Sequence, residues 1–532
     1  MPFLFPCLTR THCPRRGTAR SAGLLVLLWL AVLFPAGSPT PVQARPPAKA
    51  ARRAGRPAAP KARPGASRLP EKETIRYGVY LQNSRIGALT THVLPTTHES
   101  RPAIRMDALS SMKISALGSV VEISVDLSHI LDAKGNPVLT RQTTTSQGRT
   151  SLVVARFERE RIVCDLDAGG AKSQKVVPIP RGVKLAVDPS SGGNLPEQTR
   201  VGQKSTLYFF DPTTLTLVRL DSSVVRAETR TLGGKKRRVF LVRNQDTLTG
   251  ASEAWVDEQG KLLENNAPAL GLRLVREDVP GLDTARSYEP PRDFAVATSV
   301  RTTVKLPQAR TTRVLKLRIS GIPDRSLLLR DPRQQIAEET ETNGKLTATY
   351  RIEARELPAV CLPAAAPGST GPGLGDAPYL GLEQESIRKT AREIAEQETN
   401  RGVLARRIRA WVKAHMTKPT NIGAPRSAAE IMATREGVCR DYATLFAALA
   451  RAVGVPTRLC TGLVYFQEGF FYHAWVECQL TEGDAGWFAF DPTLSDDFVD
   501  ATHVKFGQGD PTEMYAAVRV VGQIQAEILE YR

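Results

Sequence analysis

The sequence predicts a multidomain chain in which a β-rich N-terminal region precedes an α+β C-terminal core. Three patterns carry that prediction. From Thr74 to about Tyr288, apolar and polar residues alternate in short runs broken by turn signals, as in antiparallel strands covered on one face. Between Glu385 and Pro456 the apolar spacing becomes helical, and from Thr457 it returns to a period of two. Roughly 350 residues lie between the basic N-terminal segment and the start of that core, more than a single small unit needs, so at least one extra domain is required.

In chain order, residues 1–44 read as a secretory signal. Arg10, Arg15, Arg16 and Arg20 precede an apolar run from Ala22 to Phe34, short for a membrane span, and small residues follow. Val42-Gln-Ala44 is one cleavage site and Pro35-Ala-Gly37 another. Cys7 and Cys13 precede the apolar run and the next cysteine is Cys164, so none is placed for acylation. The expected location is extracytoplasmic, with no transmembrane helix once the signal is removed. Residues 45–70 form a tether of Ala, Pro, Gly, Arg and Lys, with eight basic residues between Arg45 and Arg68 and none acidic. Twelve of the eighteen net positive charges fall in the first 70 residues, so the folded part lacks the basic face of a nucleic-acid binder. Attraction of the tether to anionic lipid or wall polymers is the partner it suggests.

Residues 71–290 read as an antiparallel β domain, on runs such as Val121-Glu-Ile-Ser-Val-Asp-Leu127 and Ser151-Leu-Val-Val-Ala-Arg-Phe157, with turns at Asp132-Ala-Lys-Gly-Asn-Pro137 and Gly233-Gly234. Residues 293–360 read as a small β-sandwich-like unit, 361–380 as an Ala/Pro/Gly-rich linker, and 381–532 as the C-terminal α+β domain, entered through a helical stretch from Glu385 to Met416.

Within that last unit, Ser427-Ala-Ala-Glu430 is a capping box opening a helix that ends near Gly437. Apolar residues at 438, 442, 445, 446, 449 and 453 then define a second helix, which Gly454 and Pro456 stop. Cys439 falls in its first turn, where unsatisfied N–H groups and the positive end of the helix favour a thiolate and an oxyanion. Thr457 to Phe466, Phe470 to Leu480 and Trp487 to Asp491 read as strands, and alternation puts His473, Trp475 and Glu477 on one face. Cys439, His473 and Asp491 thus supply a thiol, a base beside it and a carboxylate to orient the base. Asp441 is expected to cap the helix or to pair with Arg440 or Arg458, and Trp475 to be core.

These motifs, Gly437-Val-Cys-Arg-Asp-Tyr-Ala, His473-Ala-Trp-Val-Glu and Asp491-Pro-Thr, resemble in order those of the transglutaminase-like superfamily, whose papain-like core packs a cysteine-bearing helix on a sheet carrying histidine and aspartate. The resemblance runs from about Ser427 to Asp510. It includes three features of bacterial members: Arg451-Ala-Val-Gly-Val-Pro-Thr-Arg458, Trp487 ahead of Asp491, and His503-Val-Lys-Phe-Gly507. It implies Cys439 as nucleophile, His473 as general base and acid, and Asp491 as orienter. The expected function is thiol-dependent acyl transfer on protein or peptide amides through a thioester, as protease, amidase or transglutaminase. The alternative is a non-catalytic envelope binding or assembly protein that uses the β domains, with the core as scaffold.

No cofactor and no metal are expected. The acidic residues Asp496, Asp497 and Asp500 lack the spacing of a calcium loop and read as solvated. A second oxyanion donor is not assigned; Trp411 is the candidate. Cys460 and Cys478 fall nearly opposite each other about the proposed turn near residue 469, where a bridge would be strained, and two buried thiols are expected.

Overall fold

The computed structural model describes residues 72–81, 83–116, 119–187, 200–282, 298–366, 369–416, 424–494 and 498–532. The expected signal and tether, and Asp496 and Asp497, lie outside them. The protein is β-rich, with large sheets and few helices.

One sheet of fifteen strands occupies Glu73–Arg276, and all but one of its pairings are antiparallel. The first strand, Glu73–Leu81, lies in the middle. The chain winds outward hairpin by hairpin to the edge strand Ala171–Pro178, crosses to the opposite edge at Leu185–Ala186 and Lys204–Asp211, and winds back until Leu272–Arg276 pairs with Glu73–Leu81. Alternation decides which side is covered: Val121, Ile123, Val125 and Leu127 are buried while Glu122, Ser124 and Asp126 are exposed. The turns use the expected chemistry. Asp132 accepts from the Lys134 and Asn136 amides, and Gly233 and Gly234 both take positive φ in a two-residue hairpin. The sheet curls until its ends meet: Val153, Ile162, Leu166 and Val177 share a core with Phe210 and Leu215, and Phe157 meets Phe210 edge to face at 6.0 Å.

A four-stranded antiparallel sheet follows, ordered Gln334–Thr342, Lys345–Glu353, Val314–Ile322, Gln525–Tyr531. The sequence reading kept the last of these strands with the catalytic core. Its register, Leu317 opposite Ile528 and Ile319 opposite Ala526, places it instead in the small sheet, because a short amphipathic strand does not encode its partner locally.

The C-terminal region sets helices against a five-stranded sheet in which Thr457–Phe466 lies between Gly469–Gln479 and Val504–Gly509, with Trp487–Phe490 and Val300–Arg301 paired to Gly469–Gln479. The helical stretch from Glu385 is two helices, Glu385–Ala395 and Arg401–His415. The break falls where Glu396 takes positive φ and the Asn400 side chain accepts from the Val403 amide at 3.1 Å. Helix Cys439–Ala452 is buried from Cys439 through Arg451 and packs on the two central strands. Its Leu445, Phe446 and Leu449 each contribute roughly 1.5–3 kcal/mol by leaving water. No helix among the described residues is long and apolar enough to cross a membrane.

Candidate active site

Helix Ala428–Thr434 starts as expected at Ser427, whose hydroxyl accepts from the Glu430 amide at 3.3 Å. The reciprocal half of the capping box does not form, because the Glu430 carboxylate is taken by Arg149 of the large sheet at 2.9 Å. Arg149 also reaches Glu436 at 3.0 Å, so a strand of the β domain grips both ends of the segment leading to Cys439.

Cys439 opens its helix, with Val438 as the cap residue. Asp441 fixes that start: its carboxylate accepts from the Val438 amide at 3.0 Å and from Arg426 at 2.8 Å, with Arg440 at 3.3 Å. Burial pushes the Asp441 carboxyl up, and Arg440, Arg426 and the Val438 amide more than reverse this, holding it ionised. Asp441 therefore caps the helix and pairs with Arg440, as expected, while Arg458 goes elsewhere. Gly437 is required by close approach, since a Cβ there would lie 2.5 Å from that of Asp441.

His473 stands on strand Gly469–Gln479, opposite Gly462. A Cβ at Gly462 would fall 1.8 Å from the Val504 carbonyl oxygen, so glycine lets strand Val504–Gly509 close on its neighbour. His473 Nε2 donates to Asp491 Oδ2 at 2.8 Å, and the Cys439 thiol is close enough to the ring to favour its charged form. Asp491 Oδ1 accepts from the Thr493 and Leu494 amides at 2.7 and 3.2 Å, which locks the carboxylate. All three residues are buried, at 5% exposure for Cys439, 2% for His473 and 0% for Asp491. Burial pushes the His473 ring down, but the Asp491 charge and the hydrogen bonds to Asp491 and Cys439 lift it to about 10. Burial likewise opposes the Asp491 charge, and His473 and His503 overcome it, holding the carboxyl well below its ordinary range. Such an arrangement can form a thiolate–imidazolium pair and later return a proton. Trp475, fully buried, stacks 6.3 Å from the His473 ring.

One residue the sequence reading did not assign joins the site. His503 Nε2 lies 3.1 Å from Asp491 Oδ2, so a single carboxylate oxygen serves two imidazoles. The signal was present in His503-Val-Lys-Phe-Gly507, noted as a flanking motif without a role. The ligand atoms of His473, Asp491 and His503 lie within 4.8 Å of one another, a spacing that suits a metal, yet these atoms are engaged with one another as hydrogen bonds. Asp500 is corrected: rather than lying in a solvated loop it is fully buried, and its carboxylate meets Thr502 at 2.5 Å and Arg310 at 2.9 Å. Trp411 stacks on His415 at 3.9 Å. Cys460 and Cys478 are free buried thiols. They are not opposite each other, because Cys460 faces Trp475 and Cys478 faces Thr457.

Residues 388–492 match the sequence profile of the transglutaminase-like superfamily. No curated protein matches this chain. Among solved structures, it is similar to a candidate cysteine protease from Cytophaga hutchinsonii, at 19% identity over 42% of this chain and 89% of the other, with a TM-score of 0.29. It is similar also to the periplasmic domain of TgpA from Pseudomonas aeruginosa, at 18% identity over 36% and 88%, with a TM-score of 0.22. A β-barrel-like protein from Brucella abortus aligns at 10% identity over 39% and 96%, with a TM-score of 0.29. The match to the transglutaminase-like superfamily thus lies in the C-terminal region, across the segment that carries Cys439, His473 and Asp491.

Proposed function

We propose that this protein is an exported thiol-dependent acyl-transfer enzyme acting on protein or peptide amides, with a papain-like core. The observation that carries the reading is the buried His473–Asp491 hydrogen bond of 2.8 Å, with the Cys439 thiol, at a helix N-terminus, favouring the charged form of the same ring. In the first step the Cys439 sulfur bonds to the amide carbon while the C–N bond breaks, and the His473 imidazolium gives its proton to the leaving amine. In the second, water or a primary amine attacks the thioester, His473 takes the proton and the C–S bond breaks. Water makes the protein a protease or amidase; an amine makes it a crosslinker. The first-turn N–H of Cys439 is the proposed oxyanion donor. The tether from residue 45 to 70 is proposed to hold the enzyme at an anionic envelope surface outside the cytoplasm.

A second reading, a binding or assembly protein with the core as scaffold, draws on the burial of Cys439 at 5% exposure. One experiment separates them. The purified protein and Cys439→Ala are given a glutamine-containing protein, with and without a labelled primary amine, and the products are weighed by mass spectrometry. Cysteine-dependent amine incorporation marks a transglutaminase, and cysteine-dependent cleavage or deamidation without incorporation marks a hydrolase. Identical products from both proteins, together with a Cys439 thiol that alkylates at mildly acidic pH no faster than free cysteine, favour the scaffold.

A further inference from the structure

Both ring nitrogens of His503 face oxygens. Nε2 lies 3.1 Å from Asp491 Oδ2, a carboxylate held ionised. Nδ1 lies 3.2 Å from the Asp500 carbonyl oxygen and 3.4 Å from Asp500 Oδ1. A backbone carbonyl can only accept, and so can an ionised carboxylate. A neutral imidazole, with one N–H, would turn a lone pair toward one of these oxygens inside a fully buried pocket, whereas an imidazolium satisfies both.

We propose that His503 is a positioning residue for His473, held as a buried imidazolium between Asp491 and Asp500. The proposal rests on the reading of Cys439, His473 and Asp491 as the catalytic set. The segment carrying His503 is clamped from the N-terminal side of the core. Arg333 donates to the His503 carbonyl at 2.6 Å and to the Asp500 carbonyl at 2.5 Å, Arg310 pairs with Asp500 at 2.9 Å, and Gln334 bonds to the Lys505 carbonyl and amide at 2.9 and 2.7 Å. Residues 310–334 of the small β unit thereby acquire a role: they hold the second imidazole against the carboxylate that orients the first.

The charged groups around the ring are Asp491, Asp500, Arg310 behind Asp500, Arg333 on the backbone, and His473 itself, whose ring centre is 5.6 Å away. A fixed positive charge at that distance divides the attention of Asp491. It eases release of the His473 proton to a leaving amine, and it favours a nearby thiolate. Removing the charge while keeping a donor to Asp491, as in His503→Gln, has a definite consequence. The pH profile of Cys439 alkylation moves upward on both limbs, by roughly one pH unit.

The primary test is spectroscopic and needs no turnover. In protein labelled with nitrogen-15 in histidine, the His503 ring, which lies 5.3 Å from Trp475 and whose signals are identified by their loss in His503→Gln, is expected to carry protons on both nitrogens. A single neutral tautomer there overturns the proposal. The second measurement compares iodoacetamide alkylation of Cys439 in wild type, His503→Gln and His503→Phe. An upward shift in the Gln variant supports the proposal, and a profile superimposable on wild type overturns it. If wild type shows no cysteine-dependent activity on any amide while the doubly protonated ring is observed, the catalytic reading fails and the imidazolium stands.

Discussion

Replacing Glu477 by Gln tests how the strand that carries His473 is held. Glu477 is buried four positions further along the same face. Its carboxylate meets Lys505 Nζ at 2.8 and 3.0 Å and Arg458 at 2.7 and 2.8 Å, joining three strands of the core sheet. Burial alone pushes this carboxyl up, and Lys505 and Arg458 reverse that, bringing it from an ordinary 4.5 to about 2. That displacement corresponds to about 3 kcal/mol of stability at neutral pH, close to the 3–5 kcal/mol expected when one partner of a buried ion pair is removed. The folded-state value is depressed, so the contribution is complete above pH 4.5 and disappears as pH falls through about 2. Urea titrations followed by tryptophan fluorescence should show Glu477→Gln less stable by about 3 kcal/mol at pH 7, with the gap to wild type narrowing as the pH drops from 4.5 toward 2. Other buried carboxylates titrate in both proteins, so the difference between the curves is the quantity read. A loss below about 1 kcal/mol at pH 7, or parallel curves across the acid range, would refute the assignment of the network as a structural clamp.

Three further outcomes are expected. Asp491→Asn should lower kcat about 10³- to 10⁴-fold in whichever assay proves cysteine-dependent, and should bring the basic limb of the pH profile down, because the charge lifting His473 to about 10 is gone; an unchanged basic limb would count against the pairing. Arg426→Ala should destabilise the core by about 3 kcal/mol or more, as Asp441 is left buried with Arg440 alone, and should slow alkylation of Cys439 by loosening the helix start; chemical denaturation and thiol labelling at pH 7 read both. Non-reducing peptide mapping should recover Cys460 and Cys478 unbridged, since neither faces the other.

Much of the core was legible because its information is local. Thr457 to Phe466 declared itself by alternation, and the Cys439 helix by apolar spacing and a Gly-Pro stop. What the sequence hid is what depends on distant partners. The Glu430 carboxylate had a local use as half of a capping box, and Arg149, 281 residues earlier in the chain, outcompeted it. Asp500 looked like one of several loop acids because nothing near it in sequence announced Arg310 or the buried His503 ring. The Cys460–Cys478 estimate failed by three positions of register, which a symmetric count about a turn does not fix. His503 was visible as a residue and invisible as a participant, since its role exists only once two strands and a loop converge on Asp491.

The pairing of Gln525–Tyr531 with Val314–Ile322 has a consequence for the order of events during synthesis. A polypeptide is made in sequence order, so strand Val314–Ile322 emerges about two hundred residues before the strand that completes its sheet. Until then it presents an open edge, and the residues that brace His503, Arg310 and Arg333 among them, belong to an unfinished unit. Closing so long a loop is slow relative to forming local hairpins. Maturation of the thiol site should therefore trail the appearance of the large sheet, and trimming Gln525–Tyr531 should yield a protein that retains that sheet but assembles its C-terminal chemistry poorly.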